Sequence, residues 1–129
     1  MPDQLLVAIV DDDESIRETT KDLLESAGLH AAAFASAQAF LESAPARVSC
    51  LIADMRMPGL SGLALHEHLA ASGASIPTIL ITAYPDERIG AQALKAGVTA
   101  YLAKPFSDEE LLASIRSAVQ QGASLTKER

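Results

Sequence analysis

Apolar and polar positions along the chain predict five strands that alternate with five helices. The run from Leu5 to Val10 is rich in branched apolar side chains without alternation, as in a strand that is covered on both faces. The next stretch has apolar residues at helical spacing between a cap, Asp13 or Glu14, and a terminating Gly28. The same alternation recurs along the rest of the chain. The predicted strands are 5–10, 29–34, 49–53, 78–82 and 99–103. The first predicted helix lies between its cap, Asp13 or Glu14, and Gly28, and the other predicted helices are 37–43, 62–71, 86–96 and 107–121.

A regular alternation of strands and helices indicates an α/β fold. It favours a doubly wound parallel sheet with right-handed crossovers and with helices on both faces. A chain of 129 residues fits one such domain, which we expect at 1–121, followed by a polar tail or the start of a linker at 122–129. Ligands of these sheets bind beyond the carboxyl ends of the strands. The residues at those ends are therefore the first candidates for a functional site.

Composition and charge exclude several classes of protein. The longest apolar run has six residues, Leu5 to Val10, against the ~20 that a membrane-spanning helix needs. With no basic, apolar leader at its start, the chain is expected to be cytoplasmic. A net charge of −7 opposes direct binding to nucleic acid phosphates. The single cysteine, Cys50, lies in an apolar run and is expected to act as a small hydrophobic residue.

Charged and hydroxyl side chains follow four of the predicted strands. Asp11, Asp12 and Asp13 follow the first strand, Asp54 the third, Thr82 ends the fourth and Lys104 follows the fifth. Asp13 is expected to cap the first helix. Carboxylates that converge without matching positive charges repel one another unless a cation lies between them, and oxygen ligands indicate magnesium or a similar hard ion. The sequence therefore predicts a Mg²⁺ site at one edge of the sheet.

A carboxylate beside magnesium can attack a phosphoryl group. The product would be an acyl phosphate on Asp54, with Lys104 stabilising the charge of the transition state. Simpler interpretations exist for each residue: Asp54 as a turn former, Thr82 as a local hydrogen-bonding group and Lys104 as a surface lysine. Their arrival at one edge favours the phosphoryl chemistry, and Pro105 restricts the direction of the lysine.

Four segments together resemble a known family, the receiver domains of two-component response regulators. The resemblance covers essentially the whole chain and is closest to the nitrogen-fixation and LuxR-type branch. It implies a flavodoxin-like (βα)5 fold with strand order 2-1-3-4-5. The matching segments are Val10-Asp11-Asp12, Leu51 through Gly59, Thr82-Ala83 and Lys104-Pro105-Phe106.

The resemblance implies a role for each site residue. Asp54 would be the phosphoacceptor, Asp12 would bind Mg²⁺ directly, Asp11 would bind it partly through water, and the backbone carbonyl of Arg56 would be a further ligand.

The residues of the last two strands would respond to the phosphoryl group. Thr82 and Lys104 would contact its oxygens, and Tyr101 would be the aromatic switch residue that turns inward when Thr82 moves. The Lys104–Pro105 peptide bond would be cis. In this family, the positions of Arg56 and Tyr84 also influence how readily water reaches the acyl phosphate, and we hypothesise that these two side chains shield it.

The implied function is that of a signalling switch rather than a conventional enzyme. A sensor histidine kinase would supply the phosphoryl group, and the domain would catalyse its own phosphorylation and dephosphorylation at Asp54. The fourth helix, fifth strand and fifth helix would form the output face, which is expected to control transcription. Phosphorylation-dependent homodimerisation is predicted through small or apolar residues of this face: Ile89, Ala93, Ala96, Tyr101 and Ala103.

Other functions share some of these features. A haloacid dehalogenase-type phosphatase would need a second Asp at the position of Arg56, and a flavodoxin would need a phosphate-binding loop in place of Asp11 to Asp13. A receiver-like module that binds partners without phosphorylation is the remaining alternative, although such modules usually lack active-site residues.

A few residues are assigned no role in phosphoryl transfer. His30, His66 and His68 are expected to be surface residues. Pro85 is expected to be the first residue of the fourth helix. Leu125-Thr126-Lys127 faintly resembles the opening of a LuxR-type DNA-binding domain.

Overall fold

The computed structural model describes residues 6–43, 48–74 and 76–127, and these form five strands and five helices. Leu5 and residues 128–129 of the predicted tail lie outside the described residues. The strands are β1 (Leu6–Val10), β2 (His30–Phe34), β3 (Cys50–Asp54), β4 (Thr78–Thr82) and β5 (Ala100–Ala103). The helices are α1 (Glu14–Ser26), α2 (Ala37–Ser43), α3 (Gly62–Ala71), α4 (Glu87–Lys95) and α5 (Asp108–Lys127).

The strands form a single parallel sheet in the order β2-β1-β3-β4-β5. This confirms the predicted fold class and strand order. The order reverses between β1 and β3, so a crevice forms beyond their carboxyl ends. Val10 pairs with Ala53, which places the residues that follow β1 beside the end of β3.

The three central strands, β1, β3 and β4, bury alternate side chains in two separate cores. On one face, Ala8, Leu51 and Leu80 pack with residues of α2, α3 and α4. On the other face, Ile9, Ile52, Ile79 and Ile81 pack with residues of α1 and α5. Burial on both faces explains why the strands read as continuous apolar runs.

Cys50 begins β3 and is completely buried in the second core. Burial raises the pKa of its thiol to about 12. The cysteine is therefore a packed apolar side chain, as the sequence predicts.

Side-chain caps fix where the helices begin. The Asp13 carboxylate accepts hydrogen bonds from the amides of Ser15 and Ile16, which confirms its role as the cap of α1. Ser107 and Glu110 bond reciprocally to each other's backbone amides at the start of α5, at 3.0 and 2.9 Å.

Two predicted helix bounds are wrong. Asp86 is the N-cap of α4, and its carboxylate accepts from the amide of Arg88 at 2.8 Å, so Pro85 precedes the cap and is not the first helical residue. The last helix does not end at Gln121, because α5 continues to Lys127. The division into 1–121 and 122–129 stays a prediction.

His66 is buried rather than on the surface, contrary to the sequence-based expectation, whereas His30 and His68 are exposed. Its Nδ1 lies 2.9 Å from the hydroxyl of Thr78, and its Nε2 lies 3.1 Å from the carbonyl oxygen of Ala96, the C-cap of α4. Because a carbonyl only accepts, Nε2 carries a proton. The imidazole thus joins α3 to the start of β4 and to the end of α4.

In the part of the chain that the structure describes, no helix is long and apolar enough to span a bilayer.

Candidate functional site

Three carboxylates meet at the carboxyl edge of the sheet. Asp11 follows β1 directly, Asp12 is next, and Asp54 is the last residue of β3. One oxygen from each lies within 4.8 Å of the others. Asp11 and Asp54 are buried, whereas Asp12 is exposed. Adjacent parallel strands thus bring the acidic residues together at one edge of the sheet, as the sequence predicts. The cluster is open to solvent on the side of Asp12.

Lys104 reaches the same cluster from the edge strand. Its Nζ lies 3.2 Å from Asp54 Oδ2 and 3.4 Å from Asp11 Oδ2. The Lys104 amide donates to the carbonyl oxygen of Thr82 at 2.7 Å, which fixes the lysine backbone against the end of β4. The peptide bond to Pro105 is cis, as the resemblance implies. One ammonium therefore faces three carboxylates.

Asp11 and Lys104 have altered pKa values in this cluster. Burial, reinforced by the negative charge of Asp54, raises the pKa of the Asp11 carboxyl, although the Asp13 amide and Lys104 partly oppose it. Partial burial favours neutral Lys104, but the carboxylates of Asp11 and Asp54 outweigh that effect and raise the pKa of the ammonium. The site therefore holds a charged lysine and more negative charge than this lysine neutralises.

Backbone and side-chain contacts orient the central carboxylate. Asp54 Oδ1 accepts a hydrogen bond from the Arg56 amide at 3.1 Å, and Oδ2 faces Lys104. On the neighbouring strand, Thr82 is almost completely buried, and its hydroxyl oxygen accepts from the Tyr84 amide at 3.0 Å. Among the described residues, the proton of this hydroxyl has no acceptor. Thr82 can therefore still donate a hydrogen bond.

An exposed pair of side chains lies beside the site. The Arg56 guanidinium carbon is 4.5 Å from the centroid of the Tyr84 ring, a cation–π contact. Tyr84 is 64% exposed, so this contact rather than core packing positions the ring. Arg56 follows β3 and Tyr84 follows β4, and the pair bridges the two loops that flank Asp54.

Tyr101 does not contact the carboxylates. It lies on β5, where it is half-buried against α4, and its hydroxyl accepts a hydrogen bond from the Asp86 amide at 3.3 Å. The structure thus connects the expected switch residue to the loop between β4 and α4.

Gly62 is a site residue that the sequence reasoning missed. A Cβ at this position would lie 2.6 Å from the carbonyl oxygen of Asp54 and 2.9 Å from a methyl carbon of Leu80. Only glycine lets the first turn of α3 approach the end of β3 this closely. The dipeptide Ser61-Gly62, a helix cap followed by a glycine, was the available signal, but a single sequence does not reveal which backbone it approaches.

The donor set at this edge fits a hard divalent cation. All three side chains offer carboxylate oxygens, and there is no nitrogen or sulfur donor in the cluster. Burial and, to a smaller extent, repulsion by Asp54 raise the pKa of Asp11, and a cation would offset both effects. The exposed side of the cluster, at Asp12, leaves room for water in the coordination shell.

A parallel sheet with this strand order and an acidic cluster at its switch point is the arrangement of a receiver. Residues 7–116 match the family described as the response regulator receiver domain. The chain therefore belongs to the receiver domains of response regulators.

Its relatives include transcriptional regulators of the nitrogen-fixation branch. The chain is 40% identical over 124 residues to the transcriptional regulatory protein FixJ of Azorhizobium caulinodans, covering 95% of this chain and 59% of that protein. It is 41% identical over 117 residues to nodulation protein W of Bradyrhizobium diazoefficiens, covering 90% and 52%. The chain thus spans between half and three fifths of the length of these relatives.

Solved structures agree with this assignment. The response regulator StyR superposes with a TM-score of 0.89 at 41% identity, covering 98% of this chain and 65% of that chain. The structure described as FixJ-N superposes with a TM-score of 0.84 at 36% identity, covering 93% and 96%.

Proposed function

We propose that this chain is a cytoplasmic phosphoacceptor domain that receives a phosphoryl group on Asp54 from a sensor histidine kinase and thereby controls transcription. The observation that carries the proposal is the buried Asp54 carboxylate, held between the Lys104 ammonium and two further carboxylates. A structural ion pair would not need three acids around one base. An incoming phosphoryl group with a divalent cation would fit this imbalance.

The transfer step requires little from the protein beyond positioning. An Asp54 oxygen attacks the phosphorus of a phosphohistidine, the nitrogen–phosphorus bond breaks, and the histidine nitrogen leaves with the bond's electron pair. Lys104 and the Thr82 hydroxyl donate hydrogen bonds to the phosphoryl oxygens. The signal ends when the acyl phosphate is hydrolysed: water attacks the phosphorus, and Asp54 leaves as the carboxylate with inorganic phosphate as the other product.

Asp11, Asp12 and Asp54, with the backbone carbonyl of Arg56, would hold Mg²⁺. The bound ion supplies neutralisation of the phosphoryl oxygens and orientation of the group for in-line attack. Asp11 also positions its own loop, because its carboxylate accepts from the Asp13 amide at 2.9 Å and its carbonyl accepts from Arg17 at 2.8 Å.

A groove next to Lys104 offers a place for the kinase. It has a volume of about 480 Å³ and lies between α1 and the loop that joins β5 to α5. Ile16, Leu23 and Phe106 line it with apolar surface, and Lys104 is also part of its lining. A kinase helix that carries the phosphohistidine could pack there with its phosphoryl group directed toward Asp54.

The output face is proposed to comprise α4, β5 and α5. Ala93 is completely buried on the inner side of α4, so it supports the core and would not contact a second copy. Leu94 is 54% exposed, and Ala96 and Ala103 are exposed too. Phosphorylation-dependent homodimerisation through these positions remains part of the proposal. Sedimentation with and without beryllofluoride tests it, and a monomer under both conditions would contradict it.

The Arg56–Tyr84 pair is proposed to limit the access of water to the acyl phosphate. The pair bridges the loops on either side of Asp54. Replacing either residue with Ala is expected to speed the loss of the phosphoryl group, and equal rates in the wild type and both variants would contradict this role.

The decisive experiment is incubation with acetyl phosphate, with and without Mg²⁺, followed by intact mass spectrometry. Wild type is expected to gain one phosphoryl group only with Mg²⁺, and Asp54→Asn is expected to gain none. Asp13→Asn is the matched control, since Asp13 adjoins the cluster but caps α1, and asparagine caps equally well. This control is expected to be modified like the wild type.

The outcomes separate the candidate functions. Modification of Asp54→Asn at the wild-type level would place the phosphoryl group elsewhere and contradict the proposal. No modification of the wild type, with no response of tyrosine fluorescence to beryllofluoride and Mg²⁺, would favour a receiver-like module that binds partners without phosphorylation.

A further inference from the structure

Helix α4 carries a buried glycine that faces an aromatic ring. Gly90 lies within Glu87–Lys95, where glycine disfavours the helix by about 1 kcal/mol relative to alanine. A Cβ at this position would lie 3.0 Å from Cδ2 and 3.1 Å from Cε2 of Tyr101. The absent side chain leaves a notch in the helix, and the ring of Tyr101 occupies it.

The ring in this notch is connected to the loop that borders the site. The Tyr101 hydroxyl accepts from the amide of Asp86, the N-cap of α4, at 3.3 Å. Two residues earlier in the same loop, Tyr84 donates its amide hydrogen to Thr82 and stacks its ring on Arg56. A displacement of the ring would therefore shift the loop between β4 and α4, which contacts the site through Thr82 and Arg56.

We propose that Gly90 is a positioning residue that sets the lifetime of the acyl phosphate through Tyr101. Without a side chain at 90, the ring lies against α4 and its hydroxyl holds the β4–α4 loop at Asp86. The held loop keeps the Tyr84 ring over Arg56, and the pair restricts the approach of water to Asp54. The inference rests on the proposed phosphorylation of Asp54.

The contact at 3.0 Å is tight enough to force a response. A methyl group at position 90 has to displace either the ring or the helix, because the ring edge is rigid. The helix is fixed at its far end, where His66 bonds to the Ala96 carbonyl. The ring, which is half-buried at the edge of the core, is the part that moves.

The test is the first-order rate at which phosphorylated protein loses its phosphoryl group after removal of acetyl phosphate. Gly90→Ala is expected to speed this loss about threefold or more, which is the scale of one hydrogen bond of ordinary strength. Gln92→Ala, on the exposed face of the same helix, controls for the added helix propensity and is expected to keep the wild-type rate.

Two further variants separate positioning from general packing. Tyr101→Phe keeps the ring and removes only the hydroxyl, and it is expected to speed the loss like Gly90→Ala. In a Tyr101→Leu background, Gly90→Ala is expected to have no additional effect, because the ring that it displaces is gone. An undiminished effect of Gly90→Ala in that background would overturn the proposal.

A readout without phosphorylation keeps the two proposals distinguishable. The Asp86 amide resonance is expected to shift in both Gly90→Ala and Tyr101→Phe in the free protein, and an unchanged resonance would overturn the Gly90 role. If the wild type takes up no phosphoryl group, the proposed function fails, and the proposed effect of Gly90 on the lifetime of the acyl phosphate fails with it. If it does, and Gly90→Ala loses the group at the wild-type rate, only the Gly90 inference fails.

Discussion

The two ends of β4 carry the same buried side chain in two different settings. At the amino end, the hydroxyl of Thr78 lies 2.9 Å from both His66 Nδ1 and the Ile76 carbonyl oxygen, so its proton has an acceptor within the fold. At the carboxyl end, the hydroxyl of Thr82 accepts one hydrogen bond and, among the described residues, has no acceptor for its proton. At opposite ends of one five-residue strand, one threonine completes the fold and the other is available for chemistry.

The surroundings of the two threonines differ in the same way. The imidazole of His66 satisfies polar groups from the strand and the end of α4. The carboxyl edge instead concentrates charge that one lysine does not balance. Saturated polar contacts stabilise a fold, whereas unbalanced buried charge lowers stability and is retained where a ligand will complete it.

The carboxyl edge is most sensitive to the loss of a close backbone approach. Gly62→Ala is expected to lower the free energy of unfolding by about 3 kcal/mol, because its methyl group would overlap the Asp54 carbonyl and Leu80. Denaturant titration measures the change. Gly28→Ala is the control: it has a positive φ of 89° but no neighbour near its Cβ, so about 1 kcal/mol is expected. Equal losses would mean that the overlap is relieved without strain.

The amino edge is expected to fail when its imidazole is removed. His66→Leu keeps an apolar side chain of similar size but leaves the Ala96 carbonyl and Thr78 without this partner, and should lower stability by about 2 kcal/mol. The exposed neighbour His68, replaced in the same way, should change stability by less than about 0.5 kcal/mol. If the two variants unfold at the same denaturant concentration, the buried network contributes nothing.

Substitution of the two threonines tests the comparison directly. Thr78→Val should lower stability by about 1.5 kcal/mol, since His66 and the Ile76 carbonyl each lose a partner. Thr82→Val should change stability by less than about 0.5 kcal/mol, because the amide it releases lies in an exposed loop. It should nevertheless slow phosphorylation by acetyl phosphate by at least about tenfold. A larger stability loss in Thr82→Val than in Thr78→Val, with phosphorylation unchanged in Thr82→Val, would contradict the different roles of the two threonines.

The smallest expected effect is a gain in stability. Asp11→Asn should raise the free energy of unfolding at pH 7, without divalent cations, by about 1 kcal/mol, because a poorly compensated buried charge is removed. The pKa of the Asp11 carboxyl is raised in the folded protein, so its contribution is fully present below the ordinary value of 3.8 and is lost as the pH rises through the folded pKa.

Unfolding curves measured across that pH range test the sign. The wild type should lose this contribution on going from acid toward neutral pH, and Asp11→Asn should lack that loss. A variant that is less stable than the wild type at pH 7 would show that the ion pair with Lys104 outweighs burial.

The sequence was sufficient to predict the sheet and the residues at its edge for a physical reason. Strands covered on both faces produce apolar runs, and parallel strands bring the residues that follow each run to one edge. Asp11, Asp54, Thr82 and Lys104 could therefore be grouped before any coordinates existed. Asp13 could be assigned as a cap because its contacts are local in the chain.

What the sequence could not show depends on contacts between distant segments. The spacing of His66 and His68 indicates a surface position for both, whereas the burial of His66 depends on its contacts with Thr78 and Ala96. Gly62 and Gly90 are recognisable only when the atoms that a methyl group would meet are known. The error at Pro85 has a local cause, since Asp86 competes successfully for the role of cap.

The burial of Cys50 also gives the protein a built-in reporter of its own opening. With a thiol pKa of about 12, only about one molecule in 10⁵ carries the thiolate at pH 7 in the closed sheet. The side chain lies on β3, the middle strand, between β1 and β4. Disulfide-exchange reagents will therefore label the native chain only when its centre opens. The rate of that labelling reports on the opening of the sheet at its middle strand, without any engineered probe.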